Sequence, residues 1–155
     1  MFKKFIAAFA VVAALLPGAA FAQAKAGSKA EAQAMAKKAA AYIKSAGTEK
    51  AFAEINTAGG QFHDRDLYVF VGNLKGIWQA HGQNAKLIGR DLSELKDADG
   101  KPFIKEILKV AESGKGAWVD YKWTNPVTKA VEAKTSWIER VPGTDLFAGV
   151  GAYQQ

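Results

Sequence analysis

The apolar positions change period several times along the chain, and each change marks an element. Met35, Ala39, Tyr42 and Ile43 recur at helical spacing, which predicts a long alanine-rich helix over Ser28 to Ala46. Ser28 and Glu31 have capping-box spacing, in which each side chain satisfies an orphan backbone donor at the helix start. Gly47 is its stop. A shorter helix follows from Glu49 to Thr57, capped by Thr48, with Phe52 and Ile55 inward. Beyond Gly59-Gly60 the period drops to that of a strand. Leu67 to Val71 and Ile77 to His81 form a hairpin through the glycine-bounded loop Gly72 to Gly76. Gly82 to Leu95 is loop-like, with one helical turn around Asp91 to Leu95. Pro102 suits the first position of a helix reaching Glu112, with Phe103, Ile107, Leu108 and Ala111 inward. Three extended runs complete the chain: Trp118 to Trp123, Val131 to Val141 and Leu146 to Tyr153, the last two joined by Pro142-Gly143-Thr144-Asp145. Short turns between neighbouring strands imply an α+β domain: a five-stranded antiparallel sheet with helices on one side.

The first residues have a different character. Lys3 and Lys4 precede an apolar run, Phe5 to Leu16, which Pro17-Gly18 breaks before the small-x-small signal Ala20-Phe21-Ala22. This predicts a signal peptide over 1–22, cleaved after Ala22, and a single domain over 23–155 in the periplasm or outside the cell. No later segment approaches the ~20 apolar residues of a membrane span. The chain carries a formal charge of +6, of which Lys3 and Lys4 supply two. The remaining excess is mild and dispersed, unlike the concentrated basic patch of a nucleic-acid binder. There is no cysteine, which excludes disulfides, thiolate nucleophiles and cysteine metal sites.

The candidate chemistry lies in two strands. Tyr121 and Trp123 project from one face, and Asn125-Pro126 then breaks the strand. Lys134, Ser136 and Ile138 share a face of the next. Such a hairpin suits a small, partly apolar anion, with Lys134 as charge partner and the aromatics as walls and donors. The plainer alternative makes the aromatics core and lets the lysine snorkel to solvent. His81, followed by Gly82 and Asn84 at a loop rim, could bind a carboxylate more strongly once protonated near pH ~6.5. Tyr68 is a further candidate donor. His63-Asp64-Arg65-Asp66 lacks metal-ligand spacing and reads as a solvated loop. Asp97-x-Asp99-Gly100 misses an EF-hand because Leu95 stands at position one, so it reads as an acidic turn. The serines lack a nucleophile elbow, and nothing points to a cofactor.

These residues carry a family resemblance. Tyr68-Val69-Phe70 followed by Gly76, Ala80-His81-Gly82 and Gly89 resembles the first half of a single Cache domain, type 2. Gly116-x-Trp118-Val119-x-Tyr121-x-Trp123-x-Asn125-Pro126, then Lys134 and Gly149-x-Gly151-x-Tyr153, resembles its second half. The resemblance implies a PAS-like extracellular sensor: a five-stranded antiparallel sheet with a long N-terminal helix and short flanking helices. It also implies binding of a small organic acid, such as a short carboxylate, in a pocket above the sheet. A membrane receptor or histidine kinase is the implied partner. The chain departs from the pattern in reaching Gln155 without a membrane helix or output domain, which suggests a stand-alone exported protein. Asn73 stands where the family often has aspartate, and Gly82 where it often has proline. Trp137 stands where tyrosine is usual, and would shrink the pocket if it lines it. The expected role is ligand sensing without catalysis. The alternatives are a small periplasmic isomerase or dehydratase using His81 as base, and a protein-interaction module.

Overall fold

The computed structural model describes residues 25–154, so the expected signal peptide lies outside the described residues. Helix α1 spans Lys29–Ala46 and carries the capping box: Glu31 N–H donates to Ser28 Oγ (3.2 Å), and Ser28 N–H donates to the Glu31 carboxylate (2.7 Å). Its buried stripe is Ala32, Ala36, Ala39, Ala40 and Ile43, small residues that bring the helix backbone close to the sheet. Met35 and Tyr42 flank that stripe, half-buried. Helix α2, Thr48–Ile55, begins without a side-chain cap. Thr48 is its first residue rather than its cap, because Gly47, at φ 84°, both ends α1 and starts α2.

The strands are β1 (His63–Asp64), β2 (Leu67–Asn73), β3 (Trp78–His81), β4 (Ala117–Thr124), β5 (Val131–Arg140) and β6 (Leu146–Tyr153). All pair antiparallel in the order β1-β2-β6-β5-β4, with β3 also on β2. The five expected strands are present, and β1 adds a short sixth. It comes from the segment read as a solvated loop, which is instead a clamp on the start of α1. Asp66 is buried and accepts the Gly27 N–H at 2.7 Å, while Arg65 ties Asp64 to Glu31 and to the carbonyls of Lys25 and Ala26. The helical turn expected near Asp91 lies earlier, as a 3-10 turn at Ala85–Leu87, where Asn84 Oδ1 accepts the Lys86 N–H.

Helices cover both faces of the sheet, not one. Helices α1 and α2 pack on Leu67, Val69, Val71, Ala148 and Val150. Helix α3, Phe103–Ser113, packs with Phe70, Trp78, Val119, Ile138 and Phe147 on the other face. The cause is topological. Strands β3 and β4 lie at opposite sides of the sheet, so the chain between them must cross it, and the face opposite α1 is the free one. That crossing places apolar residues above the face carrying Tyr121 and Lys134.

Candidate ligand-binding site

Lys134 pairs with Tyr121 across β4–β5 and with Tyr153 across β5–β6, so two tyrosines flank it on neighbouring strands. Its side chain runs across β6 to β2, where Nζ donates to the Tyr68 hydroxyl at 2.8 Å. The crossing requires glycine beneath it. A Cβ at Gly151 would lie 2.1 Å from Lys134 Cε, and one at Gly149 would lie 2.2 Å from the Phe70 ring. The motif Gly149-x-Gly151 is therefore the bed on which the lysine stem and the Phe70 ring rest. The ammonium sits 4.2 Å from the centre of the Tyr68 ring and 4.9 Å from that of Tyr153, distances at which aromatic faces attract a cation.

Lys134 is 1% exposed and forms no ion pair among the described residues. Desolvation opposes its charge, while Tyr121 and Tyr68, with more distant Asp66, favour it, leaving its pKa above the ordinary lysine value. Burial pushes the Tyr121 and Tyr153 phenols up as well, so both are neutral hydrogen-bonding groups at ordinary pH. Tyr121 Oη lies 2.8 Å from Ser136 Oγ, and Tyr153 donates to the Thr124 carbonyl at 2.8 Å.

His81 is also buried, against Tyr68, with ring centres 5.1 Å apart. Its Nδ1 accepts the backbone N–H groups of Asn84 (2.9 Å) and Gln83 (3.2 Å), which places its proton on Nε2. Burial, reinforced by the Lys134 charge, lowers its pKa to about 3. This corrects the expectation of a histidine charging near neutrality. It is a fixed neutral donor, and its weak basicity argues against a general-base role.

These groups line a cavity of about 20 Å³, space for roughly one water. Tyr68, His81, Tyr121, Trp123 and Lys134, all named from sequence, meet there. The remaining walls were missed. Phe103, Ile104 and Ile107 come from α3, and Leu87, Leu92 and Leu95 from the crossing segment. Phe103 stacks on Tyr121 at 4.3 Å, with its plane 12° from the phenol's. Such residues carry the same apolar signal as core, and only the crossing of the sheet distinguishes them. Trp137 does not line the cavity. It lies on the α1 face, edge-on to Trp118 at 5.4 Å, with Nε1 donating to Glu139 at 2.7 Å. Asp97 works as the acidic turn expected, its carboxylate accepting the N–H groups of Asp99, Lys101 and Lys122.

Residues 14–155 match the family Single Cache domain 2. The chain belongs to that family. Over 91 residues, 59% of its length, the domain is 31% identical to the methyl-accepting chemotaxis protein McpP of Pseudomonas putida and 29% identical to the sensor histidine kinase MctS of Rhizobium johnstonii. Those stretches are 17% and 20% of the respective relatives, so this Cache domain spans about a fifth of their length. A methyl-accepting chemotaxis protein of Vibrio parahaemolyticus shares the fold, with TM-score 0.68 at 22% identity over 81% of this chain and 87% of that one. So does a Cache chemosensory domain described in terms of carboxylic acid recognition, with TM-score 0.64 at 23% identity over 79% and 86% of the two chains. No helix among the described residues is long and apolar enough to cross a membrane.

Proposed function

We propose that this Cache domain senses a small carboxylic acid in the periplasm and reports it to a membrane receptor or kinase. The observation that carries the reading is the buried ammonium of Lys134. A charge taken out of water is costly unless it is paired, and the phenols of Tyr68 and Tyr153 supply dipoles rather than a counter-charge. A carboxylate supplies that charge. It would sit with Lys134 as ion partner, with the Tyr68 hydroxyl and His81 Nε2–H as directed donors and Trp123 and the Phe103 side as apolar wall. The cavity's small volume favours acids with few carbons. The carboxylic acid recognised by a neighbour of the same fold supports this choice of ligand.

Strands β5 and β6 carry the cage on one face and α1 on the other, so displacement of Lys134 or Tyr153 would reach α1 through the sheet. That is the route proposed for output. The test is thermal shift of wild type and Lys134→Met against acetate, propionate, pyruvate and amino acids. An acid at ~100 times its Kd should stabilise the wild type by about 2.7 kcal/mol. The gain should vanish in Lys134→Met. Undiminished stabilisation of that variant would refute the assignment of Lys134. Silence of every acid against the wild type would refute the acid.

A further inference from the structure

A second depression, with about 310 Å³ of space, adjoins the cavity and shares three of its walls: Tyr68, His81 and Trp123. Two of the three are pinned. Tyr68 is 2% exposed and accepts from Lys134, while His81 is 5% exposed and held at Nδ1 by two backbone N–H groups. Trp123 differs on every count. It is half-buried, stands at the end of the edge strand β4, and its indole N–H bonds to none of the described residues. It touches its surroundings through ring contacts, with Phe103 at 5.7 Å and Tyr121 at 6.3 Å between centres.

The depression beyond has a polar rim. Gln83 and Asn84 bound it after β3, Pro126 and Lys129 bound it in the β4–β5 turn, and among the described residues no carboxylate lines it. Lys129 is its one charged group and makes no ion pair among the described residues. The turn that presents it is braced: Asn125 Oδ1 accepts the N–H groups of Val127 and Thr128, and Lys129 N–H donates to the Asn125 carbonyl at 2.9 Å. Lys129 itself takes φ 63°, a left-handed conformation uncommon for a non-glycine residue and sustained here by the closed turn.

We infer that Trp123 is the gate of the cavity and that the depression is its entrance, with Lys129 steering anions toward the gate. The route builds on the anion cage proposed above. Water-sized space in the cavity cannot admit a carboxylate until one wall moves, and of the three walls shared with the depression Trp123 is the one that no polar contact among the described residues holds. Swinging its indole outward joins the two spaces and leaves Lys134, Tyr68 and His81 in place. A longer acid would then be excluded by the gate's closure rather than by the cage.

The chain's lack of cysteine allows a test that needs no ligand. Ile107→Cys places one thiol on the far cavity wall, and its modification is timed with an anionic and a cationic thiosulfonate reagent. Adding Trp123→Ala should speed both reagents by an order of magnitude or more. Adding Lys129→Glu should slow the anionic reagent and speed the cationic one, and high salt should erase the difference. Equal acceleration by Trp118→Ala, on the opposite face, would mean global opening and would overturn the gate. Rates indifferent to Trp123→Ala would overturn it too, and parallel changes of both reagents in Lys129→Glu would overturn the steering. Because the measurement reads the route alone, failure of every carboxylate to bind would remove the cage proposal while these rates still decide the gate.

Discussion

Lys134 reaches Tyr68 by lying flat over β6 at Gly151, which offers its stem no side chain. That geometry makes two substitutions diverge. Lys134→Met keeps the volume but gives up an ammonium that its surroundings favour, so stability should not rise and should hold within about 1.5 kcal/mol. Gly151→Ala drives a methyl into the lysine stem from below, and should cost about 1 to 3 kcal/mol as well as displacing the ammonium. Urea melts of the two variants check this; a Gly151→Ala protein as stable as wild type would show that the stem relaxes freely. The cage was legible in the sequence because its polar members are few and alternate along strands: Tyr121 and Trp123, then Lys134 and Ser136. Tyr153 was visible as part of a motif, but its place beside Lys134 depends on the β5–β6 register. Trp137, read only as a residue that would shrink the pocket if it lined it, faces away for the complementary reason. Odd and even positions of β5 face opposite cores, and Lys134 and Trp137 fall on opposite sides.

At the scale of elements, local chemistry fixes ends better than it fixes neighbours. The capping box was legible from Ser28 and Glu31 alone, and it also seats Glu31 against Arg65. Hydrogen bonds from Ser28 and the Arg65 guanidinium lower the Glu31 carboxyl to about 2. Ser28→Ala should therefore cost about 1 kcal/mol in a denaturant melt, since it leaves an orphan donor at the helix start. Helix α3 was legible too, with its inward residues nearly right. Its position was not, because an apolar stripe says that a helix is covered without saying by which face. Phe103→Ala should cost about 3 to 5 kcal/mol in the same melt. It should also raise solute quenching of tryptophan fluorescence, because Trp123 loses the tilted ring contact with Phe103.

For the molecule as a whole, His81 links folding to acidity. Folded, it stays neutral down to about pH 3; unfolded, it takes up a proton near its ordinary value of 6.5. Between those limits the unfolded chain binds more protons, so stability must fall as the pH falls. Lowering the pH from about 7 to about 5 should remove about 2 kcal/mol, measured by chemical denaturation, and His81→Gln should flatten that slope. A slope unchanged in His81→Gln would place the acid sensitivity elsewhere. Glu31 acts in the same direction at lower pH, its contribution fading as the pH falls from its ordinary value of 4.5 to about 2.

The strand order has a consequence in time as well as in space. Strand β6 is the last of the described strands in chain order and the one that joins β2 to β5 in the middle of the sheet. Until Leu146–Tyr153 is available, the hairpin of β4 and β5 and the group around β2 are separate ribbons with open edges, and the surface that α1 packs on is split between them. Short ribbons of this kind are marginal in water. A chain cut after Gly143 should accordingly show no cooperative melt and rapid proteolysis. A keystone that comes last in chain order leaves every earlier strand of the domain waiting on it, so the sheet closes in one late step rather than growing strand by strand.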